Sequence, residues 1–249
     1  MKIFRKLRLN FLNQGKTSKY LKYALGEILL VVIGILIALQ VNNWNETRIA
    51  QKKEKKIYSK ILLDLDIALD NVTSDFERFQ EHQKMHAQLY KESRGLVDYD
   101  PNVNYHLLRL TRHYIPVITE NYLNSMPMIT NETVRAALND YIKEEKMTLK
   151  AYEDFNNIKM EMVRPFTEKN GLMSADVVFR EVNPNWKNVR DTVNNLIRYD
   201  KLKELYGSQE LDQILSSLWL NTGYPLYRSE VQMEQIKKLK ICLEQAINE

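Results

Sequence analysis

His82 and His86 stand four residues apart in a stretch free of Gly and Pro. On a helix that spacing puts both imidazoles on one face, close enough to share a metal ion. The zinc-peptidase pattern needs a glutamate directly after the first histidine, and this chain has Gln83 there, with no third ligand at a fixed spacing. The sequence therefore predicts two partly exposed helix histidines and no metal site, with His106 and His113 isolated. Neighbouring acids such as Asp64/Asp66, Glu144/Glu145 and Glu153/Asp154 point in different directions on a helix and read as a solvated face. Gln14-Gly15-Lys16-Thr17 resembles the end of a phosphate-binding loop, but Asn10 occupies the position of its first glycine and no strand precedes it. No serine or threonine sits in a nucleophile-elbow context. The expectation is a chain with no catalytic, cofactor-binding or metal-binding residues, and hence not an enzyme. Met126, Met128, Met147, Met160, Met162 and Met173 read as core filling around a middle helix, and Cys242 as a small, mostly buried helix residue.

The dominant element lies upstream. Ala24 to Val41 are 18 residues with only Glu27 and Gln40 polar. At a rise of ~1.5 Å per residue the run covers about 27 Å, the thickness of a bilayer's hydrocarbon core. Residues 1–22 form a basic arm with seven Lys and Arg and no acid, which leaves 29 Lys+Arg against 32 Asp+Glu in the remainder. That asymmetry assigns the arm to anionic lipid headgroups and makes a nucleic-acid partner unfavourable. Residues 2–13 read either as an amphipathic helix lying on the leaflet or as a disordered basic tail. Basic charge before the span places the N-terminus in the cytoplasm and the domain beyond the membrane, with Tyr20, Tyr23 and Trp44 as interfacial anchors. No small-residue cleavage motif follows the apolar run, so it reads as an uncleaved signal anchor. Glu27 sits one turn inside the basic end, where its carboxylate can reach Lys22 or headgroup water, and Gly34 and Ala38 make a small-residue spacing.

The three parts are a basic arm at 1–22, a transmembrane helix at 23–43 and a helical bundle domain at 44–249. Gly and Pro are scarce, 7 and 6, which favours an all-α fold. The helix continues from the span to Ser93, with Ile57, Ile61, Leu65, Ala68, Val72, Phe76, Phe79, Gln83, His86 and Tyr90 as its buried stripe. A helix is expected at 102–114, a short turn at Thr119–Ser125, and a second long helix from the Asn131 cap to Arg164, ended or kinked by Pro165. Its stripe is Val134, Leu138, Tyr141, Glu145, Leu149, Tyr152, Phe155 and Met162, and Gly171 is a late cap. Residues 172–184 read as a loop or extended piece, and Trp186, Val189, Val193 and Leu196 as a further helix reaching towards Tyr206. After Ser208, a helix buries Leu211, Ile214, Leu218 and Trp219, Gly223-Tyr224-Pro225 breaks it, and a last helix buries Ile236, Leu239, Leu243 and Ile247. The fold class is all-α: one N-terminal transmembrane helix continuing into an antiparallel helical bundle.

The Gly-Lys-x-x-Lys-Tyr approach at 15–20, the Gly26-Glu27-Ile28 start of the span and the Asn42-Asn43-Trp44-Asn45-Glu46 exit resemble an uncharacterised family of single-pass membrane proteins of Bacteroidota type, a domain of unknown function. Met128 to Val134 is similar to that family's helix-starting stretch. The resemblance implies a bacterial membrane location and a helical domain of similar length. It implies no activity and no functional residue. Composition, charge and resemblance together favour a membrane-anchored interaction or scaffold protein in the bacterial inner membrane, with its C-terminal domain periplasmic and a protein partner or a second copy bound. The alternatives are a ligand-sensing bundle that signals through a membrane partner, and an enzyme with an unrecognised site.

Overall fold

The computed structural model describes residues 17–181 and 196–248. The expected interfacial helix at 2–13 lies outside those residues, as does most of the expected helix from Trp186 to Leu196. The chain divides into two units, Met1–Lys56 and Ile57–Glu249. Helix α1, Thr17–Ser93, contributes to both.

In the first unit, the apolar part of α1 is long and apolar enough to cross a membrane, and none of that window is buried against protein. Leu25, Ile28, Leu36 and Val41 are all exposed. The polar exit satisfies itself along the helix: Asn42 donates to Glu46 at 2.9 Å, Thr47 to the Asn43 carbonyl at 2.9 Å, and Arg48 to Asn45 at 3.2 Å. Trp44 is exposed, with the Arg48 guanidinium 5.6 Å from its ring centroid.

The second unit is helical, and its core is built on three long helices. They are α1, α3 (Glu132–Ile158) and α7 (Gln209–Asn248), with α2 (Val117–Tyr122), α4 (Arg164–Lys169), α5 (Ala175–Glu181) and α6 (Tyr199–Lys203) packed between or beside them. Helix α7 runs against α1, since Asp66 pairs with Lys240 and Arg94 with Asp212. It also runs against α3, where Glu144 meets Arg228 and Tyr141 meets Gln232. Helices α1 and α3 point the same way, Asp75 meeting Tyr152 and His82 meeting Phe155. Residues 94–131 carry the chain back to make that possible. One apolar cluster joins Ile61, Leu65, Val72, Leu138, Ile236 and Leu243; a second, towards the other end, joins Met85, Leu89, Leu108, Phe166, Leu202 and Leu218.

Local chemistry explains the ends of the long helices. Asn131 Oδ1 accepts the backbone N–H groups of Thr133 and Val134 at 3.0 and 3.1 Å, the side-chain cap expected there. Gly95 and Gly171 adopt φ of +67° and +59°, and each closes a paired carbonyl cap. Leu96 N–H bonds the Lys91 carbonyl and Gly95 N–H that of Glu92; Leu172 N–H bonds the Thr167 carbonyl and Gly171 N–H that of Glu168.

Several expectations are corrected. Residues 102–114 form no α-helix: only a 3-10 turn exists, Tyr105–Leu108, followed by irregular chain to Pro116. The carbonyls of Leu107 and Leu108 accept from Lys159 Nζ, both at 2.8 Å, and the Arg112 N–H and carbonyl pair with the Asn156 amide at 2.9 and 2.6 Å. Side chains of the middle helix thus take the bonds an α-helix would have made internally. Pro165 does not end the second long helix. A π-helical turn at Lys159–Val163 precedes it, and Pro165 falls in the first turn of α4, where a missing N–H costs no bond. Residues 175–181 are helical, Ser174 Oγ accepting the Val177 N–H at 3.4 Å, and a single antiparallel bridge links Met173 to Ile197. Leu196 therefore flanks a bridge, and the expected helix does not run on through it towards Tyr206: a separate short helix, α6, begins at Tyr199. Helix α7 passes through Gly223 and Pro225 unbroken, because apolar residues on both sides of the pair stay in the core, from Leu211 to Leu243. Trp219 is half exposed, since the buried stripe runs Leu211, Leu215, Leu218, Thr222, Pro225. The stripe of α1 also shifts phase after Phe79: it continues through His82, His86 and Leu89, leaving Gln83 on the flank and Tyr90 outside.

Candidate functional site

That phase shift carries His82 inward beside His86, which the expected stripe already contained. His82 and His86 are 0 % and 1 % exposed, not half solvated as the sequence predicts. Their ring centroids lie 6.1 Å apart, and the edge of Phe155 meets His82 at 5.2 Å, with Phe79 beside it. Facing them from the π-helical turn is Lys159, itself 0 % exposed. Its Nζ donates to the carbonyls of Leu107 and Leu108 and sits 5.0 Å from the Phe155 ring centroid. Such turns insert one residue into a helix and re-aim a side chain, and they recur at functional positions. From α7 comes Thr222, 0 % exposed, whose hydroxyl donates to the Leu218 carbonyl at 2.6 Å and lies 3.4 Å from His86 Nδ1.

The network assigns the tautomer of His86. The Thr222 proton is used on Leu218, so the ring contributes the N–H at Nδ1 and keeps a bare lone pair at Nε2. Nε2 of His86 and both ring nitrogens of His82 have no hydrogen-bond partner among the described residues. The Leu107 carbonyl faces His82 electrostatically without hydrogen-bond geometry.

Electrostatics follows from this packing. Burial pushes the pKa of His82 well below the ordinary imidazole value, and Lys159, His86 and Arg112 push it further the same way. His86 is lowered by burial and then by Lys159. His106, less deeply placed, is lowered by burial, Arg109 and Lys159, so it belongs to the rim of the layer rather than standing isolated. Burial also lowers Lys159, with Arg112 adding to the shift.

The layer does not assemble a metal centre: among the described residues no three His, Cys, Asp or Glu side chains gather to hold one. The nearby ammonium also opposes a cation. Lys159 was missed by pattern reading, although a signal exists, because it stands four residues after Phe155 on an otherwise buried stripe.

The other singled-out residues serve the framework. Glu144 and Glu145 are buried, not solvated. Glu144 receives a two-pronged bond from Arg228, while Glu145 accepts the N–H groups of Ile118 and Thr119 at the start of α2. Burial raises the pKa of Glu145 even so. Asp64 accepts from Asn121 and Tyr122, and Asp66 from Lys240. Glu153 is exposed and Asp154 half-buried, both beside Lys150, close to the solvated face expected. Met128, Met147 and Met160 are exposed, so the methionines do not form a common core; Met126, Met162 and Met173 pack at its edges. Cys242 is half-buried against the first apolar cluster. Glu92 gathers hydroxyls from Tyr105 at 2.5 Å and Tyr206 at 2.7 Å, with the Gln88 amide at 2.8 Å. A cleft of about 730 Å³ opens elsewhere, between the π-helical turn, α4 and the start of α7, lined by Met162, Phe166, Lys169, Glu210 and Ile214.

Residues 27–93 match the model of a family of unknown function (DUF6090), a segment that includes most of the apolar run and His82, His86 and Glu92. No curated protein and no solved structure matches the chain significantly.

Proposed function

We propose that this chain is a single-span anchor for a helical domain that works by binding proteins beside the bacterial inner membrane, without catalysis. The observation that carries the reading is α1, which holds an apolar stretch wholly uncovered by protein and, further along, the buried stripe of the domain. A lipid phase is the environment that removes such a surface from water. The groups able to do chemistry, His82, His86, Lys159 and Glu145, are closed off from solvent and hold elements together, which supports interaction over turnover. The basic arm at 1–22 supports anionic headgroups as its contact and a cytoplasmic N-terminus, with the domain periplasmic.

Reporter fusions after Glu249 test the topology: an active periplasmic phosphatase is expected, and a cytoplasmic-only fluorescent reporter overturns the orientation. Proximity labelling from the same site tests the interaction. Enrichment of specific proteins is expected over a control carrying residues 1–56 alone, and an identical labelled set overturns the reading. A second reading, ligand sensing, draws on the 730 Å³ cleft. A small-molecule fraction that raises the melting temperature of the wild type but not of Ile214→Trp would move the assignment there.

A further inference from the structure

We propose that His82 and His86 form an acid-sensitive latch under the segment 105–116, so that protonation of the two rings releases that segment from the helical core. The geometry supplies each part. Among the described residues near the histidines, the segment has no long helix of its own, and its backbone is held by borrowed bonds. Lys159 grips the carbonyls of Leu107 and Leu108, and Asn156 grips both polar groups of Arg112. Beneath those bonds lie two buried rings in which His86 Nε2 and both nitrogens of His82 have no hydrogen-bond partner among the described residues, the Leu107 carbonyl acting on His82 without hydrogen-bond geometry.

A proton added to either ring places a new charge beside a buried ammonium. Among the described residues the rings are acted on by Lys159 from the π-helical turn, Arg112 from the segment, the Thr222 hydroxyl from α7 and the other histidine on α1. The Leu107 carbonyl works the other way on His82, while His106 senses Lys159. Asp75 and Glu81 act on Arg112, raising its pKa against the effect of burial. Lifting the segment exposes the rings and Lys159 to water, which accommodates all three charges.

The direction with pH follows from proton counting. In the closed form the rings resist protonation, and in the open form they return to about 6.5. The closed form therefore binds fewer protons, is fully favoured above that value and loses ground as the pH falls below it. Each ring shifts the equilibrium about 10-fold between about pH 7.5 and about pH 5.5, so the pair shifts it roughly 100-fold.

Amide hydrogen exchange on the full chain in detergent micelles, corrected for intrinsic rates, tests the latch. Amides of 107–116 are expected to lose protection roughly 100-fold more between those two pH values in the wild type than in His82→Gln/His86→Gln, while residues 134–152 of α3 stay protected. Equal responses in the two proteins overturn the proposal, and so does simultaneous loss over the whole domain. Should the double variant fail to fold, the ring proton resonances of the wild type decide. They should stay at their neutral positions until the segment opens, and titration near 6.5 in the closed domain overturns the latch.

Discussion

Lys159 and Arg228 are two buried cations with opposite arrangements. Arg228 is matched by a carboxylate, Glu144, in a nearly closed environment, each side chain 9 % exposed. Removing one partner leaves an uncompensated charge, so Glu144→Ala is expected to lower stability by about 3–5 kcal/mol. The double change Glu144→Leu/Arg228→Leu should recover most of that, because it removes the desolvated pair together. Urea denaturation midpoints at constant m-value check both. Lys159 has only carbonyls and an aromatic face. Lys159→Met keeps the stem and strips the Leu107 and Leu108 carbonyls of their partner, for an expected loss of about 2–4 kcal/mol by the same measurement. A smaller loss in acid than at neutral pH should accompany it, since the variant relieves the histidines of their nearest charge.

Among the elements, two glycines should respond in opposite directions. Gly171 closes α4 at φ +59°, so Gly171→Ala is expected to cost about 1 kcal/mol although its Cβ meets nothing within 4 Å. Gly223 sits within α7, also with nothing within 4 Å of an added Cβ, and Gly223→Ala should stabilise by about 0.5–1 kcal/mol. Thermal unfolding of the pair reads both signs. Position 223 also shows how far the elements were legible in the sequence. Gly-Tyr-Pro reads as a break by local rules, yet burial on either side outweighs them, a contest no local window records. The long helices were legible because their stripes repeat at helical spacing over many turns, and the Asn131 cap because its chemistry is local. The segment 105–116 was not, because its bonds come from Lys159 and Asn156, some fifty residues away in sequence. For the same reason the histidine layer was invisible. A step of three instead of four after Phe79 brings His82 in beside His86 and leaves Gln83 and Tyr90 out, and only the packing of α3 and α7 selects between the two.

For the molecule as a whole, the division at Lys56 predicts that residues 57–249 fold without the apolar stretch. That fragment should be soluble and unfold cooperatively by circular dichroism. A fragment of 57–208 should not, because α7 supplies Leu211, Leu215, Leu218, Ile236, Leu239 and Leu243 to the two main clusters.

The place of α7 more than a hundred residues after its partners around α1 sets the order of assembly. Its contacts with α1 close loops of 118 to 174 residues, from Arg94–Asp212 to Asp66–Lys240. At typical synthesis rates roughly ten to thirty seconds separate the emergence of the two helices. Through that interval the stripe of Ile61, Leu65, Val72, Phe79 and Leu89 waits for half of its covering. The nascent domain is therefore a client for holding chaperones on whichever side of the membrane it emerges. A ribosome-stalled chain ending before α7 should remain bound to them, and release should coincide with the arrival of α7.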